Sequence, residues 1–126
     1  MLFWIILLYS SSLGIQAKQA NPISISGFKQ EDWKFDSLGC KGLRSILSNK
    51  LILNKEKIIG RTKEEVEFLL GAPNSISSNK MIEFYFLNSG PQCIYVDKNG
   101  YDSLEVSKLM LVYNKDSLKS LSTIIP

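Results

Sequence analysis

The chain contains no histidine. That removes the commonest metal ligand and the commonest general base near neutral pH. Cysteine is nearly as scarce. Cys40 and Cys93 stand far apart, whereas zinc sites use closely spaced pairs with further ligands and iron–sulfur clusters usually take four thiolates. Arginine occurs only as Arg44 and Arg61, and the lysines are scattered along the chain. A net charge of +3 spread in this way makes no phosphate-tracking face, so nucleic acid is not an expected partner. Gly60, Gly71 and Gly90 do not assemble into a phosphate-binding loop. Asp32 and Asp36 are four apart, but they flank aromatics before a helix, where capping and solvation account for them. Asp97-x-Asn99-Gly100 lacks the further oxygen ligands of a calcium loop and reads as a turn. No catalytic residue, metal ligand or cofactor is therefore expected, and the chain reads as non-enzymatic.

A hydrophobic run long enough to span a bilayer is also missing. Residues 1–17 carry no charged side chain, but their apolar core, residues 2–9, is far short of the ~20 residues a spanning helix needs. Three serines and a glycine follow it. A secretory signal peptide fits this segment, with Ser12-Leu13-Gly14 as a small-x-small cleavage pattern; an uncleaved anchor and a buried N-terminal strand are the other readings. No cysteine follows closely enough to be lipidated, because Leu38-Gly39-Cys40 lies ~20 residues beyond the apolar run. If the protein is exported, Cys40 and Cys93 are a candidate disulfide. Two buried free thiols remain the alternative, since Cys behaves as a small hydrophobe.

What is present is one domain's worth of sequence, 126 residues with 44% hydrophobic side chains, and no room for a second fold. Residues 18–31 read as a linker or flexible arm that admits a short edge strand at residues 23–26. The folded domain is assigned to residues 32–126. Asp36 can cap a first helix whose apolar face is Cys40, Leu43, Leu47 and Leu51. Trp33 and Phe35 are expected to fold back on the core, with Asp32, Lys34 and Asp36 toward water. Thr62 and Glu65 form a Thr-x-x-Glu capping box. Val66, Leu69 and Leu70 make the buried face of that second helix, Gly71 ends it in a positive-φ conformation, and Pro73 prevents it from resuming. Lys63 and Glu67 fall on its solvent side. Strands follow at residues 81–87, 93–96, 109–113 and 118–125, separated by turns. In the first of these, alternation assigns Ile82, Phe84 and Phe86 to the core face, and Met81, Glu83, Tyr85 and Leu87 to the other. Strands after helices argue for an α+β fold, two N-terminal helices packed on a three- or four-stranded antiparallel sheet. Tyr95 and Tyr101, in or beside the inter-strand loop, are candidate interface residues.

The pattern Gly60, Thr62, Glu65, Val66, Leu69, Leu70, Gly71, Pro73, followed by a strand with Tyr85 and a long strand at residues 109–113, resembles the SmpA/OmlA (BamE-like) domain family. That family is similar in fold to one repeat of the β-lactamase inhibitory protein. The resemblance covers roughly residues 33–125 and lacks the lipidated cysteine that many members carry. It implies an exported, periplasmic or envelope-located protein that acts through protein–protein contacts, in outer-membrane assembly or maintenance. Its partner would be another envelope or periplasmic protein, with peripheral membrane association open. The alternative it implies is a periplasmic inhibitor or immunity protein that binds a hydrolase or toxin.

Overall fold

The computed structural model describes residues 22–94 and 97–126; the leader read at residues 1–17, and Tyr95, lie outside them. Among the described residues, three α-helices precede the sheet: α1 (Gln30–Phe35), α2 (Leu43–Leu53) and α3 (Lys63–Leu70). Four antiparallel strands follow in the order β1-β2-β3-β4: β1 (Ser75–Ile76), β2 (Ile82–Phe86), β3 (Lys108–Asn114) and β4 (Ser117–Ile124). This is the expected α+β architecture, with α2 and α3 as the two foreseen helices and α1 as a short addition.

Local chemistry sets the ends of α3. The Thr62 hydroxyl accepts the Glu65 amide at 3.2 Å, and the Glu65 carboxylate accepts the Thr62 amide at 3.0 Å. Arg61 holds the same carboxylate at 2.6 Å, and that bond first, then the Thr62 amide, keeps the Glu65 carboxyl below its usual value. Gly71 closes the helix at φ 76° and ψ −172°, a region that side chains other than glycine's essentially never occupy. The start of α2 is built differently. Gly42 occupies its N-cap in a left-handed conformation and has no side chain to offer. The Asp36 carboxylate, 1% exposed, reaches across the turn instead and accepts the amides of Lys41, Leu43 and Arg44 at 2.8–3.0 Å.

Several expectations are corrected. Cys40 lies in the turn before α2 and not on its apolar face. Asp36 is buried and Phe35 is 66% exposed, the reverse of the expected pattern, because Asp36 is needed inside as the cap of α2. The described part of the arm is not loose: Ile25 is buried, with Ile23 and Phe28 packed against the same core, and no strand forms at residues 23–26. Residues 91–93 make one 3-10 turn where a strand was expected to begin, and Pro91 at its start favours that turn.

The largest correction concerns the faces of the sheet. β2 pairs Glu83 with Leu111 and Tyr85 with Leu109, and β3 pairs Leu111 with Leu121. These residues, with Leu87, Tyr113 and Leu118, face Val66, Leu69, Leu70, Leu47, Leu51 and Trp33 of the helices. Ile82 and Phe84 are turned the opposite way. A strand that is apolar on both sides carries no alternation to fix its face, so its register against β3 decides. In β4 the register shifts, so that Tyr113 pairs with Leu118 and Val112 with Ser120, leaving Lys119 over. That bulge brings Leu118 and Leu121 onto one buried face although they are three residues apart.

Candidate functional site

Beneath the sheet the core is polar at two places. The first is centred on Arg44, which is 2% exposed. Its guanidinium lies 4.6 Å from the Trp33 ring and 5.6 Å from the Tyr85 ring. Its Nε donates to the Trp33 carbonyl at 2.9 Å and its Nη1 to Asn74 Oδ1 at 3.0 Å. Burial lowers its pKa to about 10, with the Asp36 charge opposing that shift. Asn74 Oδ1 also accepts the Phe86 amide, while Trp33 Nε1 donates to the Leu70 carbonyl and the Tyr85 hydroxyl to the Gly71 carbonyl. This cluster ties the three described helices to β2 and acts as a fastening.

The second place is different. Glu83 is completely buried. Its Oε1 accepts the Tyr113 hydroxyl at 3.2 Å, while its Oε2 finds no donor in hydrogen-bonding geometry among the described residues. Lys63, at the start of α3, places its ammonium 3.6 Å from Oε2. Glu67, one turn along α3, adds a second negative charge that acts on Glu83. Desolvation first, and Glu67 second, push the Glu83 carboxyl up to about 8, against the pull of Lys63 and Tyr113. The neighbouring phenols of Tyr85 and Tyr113 are raised as well, chiefly by burial. Lys63 and Glu67 are thus not on an idle solvent face. The sequence held one clue to this centre: Glu83 is the only charged residue within residues 81–87, and an acid in an otherwise apolar strand signals either an exposed face or a buried partner.

The opposite face of the sheet is apolar and half open. Cross-strand pairs Ile82–Val112 and Phe84–Met110 lie on it, all four residues of intermediate exposure. The three α-helices contribute to the core on the other side. At one end, Phe86 is covered edge-on by Tyr101, with ring centroids 5.1 Å apart. The Lys108 ammonium lies 5.5 Å from the Phe84 ring. Beside it a hollow of about 290 Å³ opens between Phe84, Leu104, Val106 and Ile124.

The candidate residues separate accordingly. Thr62, Glu65, Val66, Leu69, Leu70 and Gly71 form α3 and its two ends, while Gly60 adopts φ 89° and its amide donates to the Leu118 carbonyl. Pro73 lies in the connection to β1. Tyr101 packs on Phe86 and is not a freely projecting anchor. Cys40 and Cys93 are joined in a disulfide, with Cα atoms 5.9 Å apart. The bond fixes the turn before α2 to the β2–β3 connection, where Gln92 Nε2 also donates to the Leu38 carbonyl at 3.0 Å. Sequence reading missed Glu83, Arg44 and the outer sheet face.

No family model matches the chain, no curated protein is detectably similar to it, and no solved structure matches it.

Proposed function

We propose that the chain is a non-enzymatic exported protein that binds a partner protein through the outer face of its sheet. The observation that carries this reading is the pairing of Ile82 with Val112 and Phe84 with Met110 on the face opposite the core to which the described α-helices contribute. Contiguous half-exposed apolar surface of this kind marks an interaction site. Two features support export. The Cys40–Cys93 disulfide suits an oxidising compartment, and the uncharged apolar start of the sequence suits a leader. The α3 motif supports the resemblance to BamE-like domains, and with it a role in the cell envelope.

The test combines fractionation with surface variants. Protein recovered from its native cell should lack the leader, hold Cys40 and Cys93 oxidised, and co-purify with an envelope protein. A Phe84→Ser, Met110→Ser double variant should lose that partner and keep its melting temperature. A captured hydrolase or toxin would select the inhibitor or immunity reading. Recovery of a reduced cytoplasmic protein with residues 1–17 intact, or undiminished partner binding by the double variant, would overturn the proposal.

A further inference from the structure

α3 is eight residues long, yet both of its ends are chemically specified. Packing of Val66, Leu69 and Leu70 accounts for part of that. The remainder concerns Lys63 and Glu67, one turn apart: Lys63 places its ammonium 3.6 Å from the buried Glu83 of β2, and the Glu67 charge acts on the same carboxyl.

A buried carboxylate needs donors for its oxygens or a counter-charge in contact. Glu83 has one donor, the Tyr113 hydroxyl. The Lys63 ammonium is 3.6 Å away and is shared, since it also donates to the Lys80 carbonyl at 3.3 Å and lies 5.7 Å from the Tyr113 ring. The second neighbour, Glu67, carries the same charge as an ionised Glu83. An ionised Glu83 is opposed both by its burial and by the Glu67 charge, whereas a proton on Glu83 removes that charge from the dry interior. Of the other groups nearby, Tyr85 on β2 is neutral across the relevant range. Asp116, in the β3–β4 turn, adds negative potential at Tyr113, and its carbonyl accepts the Lys63 amide at 2.9 Å. Apart from Lys63, the charges that act on this centre favour the protonated acid.

We infer that a proton held on the buried Glu83 latches α3 to the sheet, so that α3 is fastened in acid and loosened as the pH rises. The latch adds to apolar packing and to the hydrogen bonds at the two ends of α3, those of the Lys63 amide with the Asp116 carbonyl and of the Tyr85 hydroxyl with the Gly71 carbonyl. An exported protein meets the pH of its surroundings directly, which gives the device something to sense.

The sign follows from linkage. Opening α3 exposes Glu83 to water, where its pKa returns to about 4.5, while in the closed state burial holds it at about 8. Protons are released on opening between these two values. The equilibrium constant for opening should therefore rise about tenfold per pH unit across that window and level off above it, a total change of about three thousandfold.

Two measurements on the oxidised protein test this. Carbon-detected NMR should show the Glu83 carboxyl titrating well above the ordinary carboxylate range. Amide exchange, corrected for its intrinsic pH dependence, should show residues 66–70 losing protection as the pH rises, while residues 109–112 of β3 stay protected. Glu83→Gln keeps the shape and removes the titration, so the pH dependence should vanish. Lys63→Met should move the midpoint up and Glu67→Gln should move it down. The inference is overturned if Glu83 titrates near 4.5, if Glu83→Gln retains the pH dependence, or if β3 loses protection in parallel with α3.

Discussion

Replacing Asp36 with Ala tests whether one buried carboxylate organises the helical layer. Asp36 is 1% exposed and accepts three backbone amides, those of Lys41, Leu43 and Arg44. Two of the three belong to the first turn of α2, where Gly42 provides no side-chain cap. Losing a cap costs about 0.5–2 kcal/mol. A further buried amide left without an acceptor costs about 1–3 kcal/mol. The substitution also removes the negative charge that acts most strongly on the buried Arg44 guanidinium, and stranding a buried charge is among the more severe single changes. The parts overlap, so we expect a net loss of about 3–5 kcal/mol. For a domain of this size that lowers the melting temperature by roughly 12–40 °C. Urea denaturation followed by circular dichroism at neutral pH would measure it. Asp36→Asn should fall between wild type and Asp36→Ala. The double variant Asp36→Ala, Arg44→Met should be less damaged than the sum of its parts by about 1–3 kcal/mol, because methionine removes the stranded cation. A loss below about 0.5 kcal/mol for Asp36→Ala, the range of ordinary surface changes, or strict additivity in the double variant, would refute the account.

Leu69→Ala should lose about 2–5 kcal/mol in the same assay, since Leu69 is 6% exposed within the main cluster. Thr62→Ala should lose about 0.5–2 kcal/mol through the capping box. Gly39→Ala should be among the most damaging single-atom additions, because Gly39 has φ 74° and an added Cβ would lie 2.8 Å from the Phe86 carbonyl oxygen; a melting temperature equal to wild type would contradict this. Reducing Cys40–Cys93, or replacing both with Ser, should lower stability by about 2–4 kcal/mol for a bridge spanning 53 residues, read as the difference between oxidised and reduced urea midpoints.

The local signals of this chain were legible because each depends on near neighbours. Thr62 and Glu65 sit three apart, so the capping box and the start of α3 follow from spacing alone. Gly71 marks the end of that helix for an equally local reason, a backbone conformation that suits no other residue. Helices followed by strands gave the layer order, and Asp36 was recognisable as a cap for α2 although it acts from six residues before Gly42. Other features were set by partners distant in sequence. Residues 82–87 are apolar on both faces, so only pairing with β3 turned Glu83 and Tyr85 inward and Ile82 and Phe84 outward. The bulge at Lys119 decided that Leu118 and Leu121 share a face. Arg44 reads as an ordinary helical surface residue until Trp33, Tyr85 and Asn74 converge on it. The Glu83 centre is the clearest case: its acid comes from β2, its phenol from β3, and its ammonium and second carboxylate from α3. A titrating group takes its properties from whatever the fold places within a few ångströms, and in this protein those neighbours come from elements as far apart as Lys63 and Tyr113.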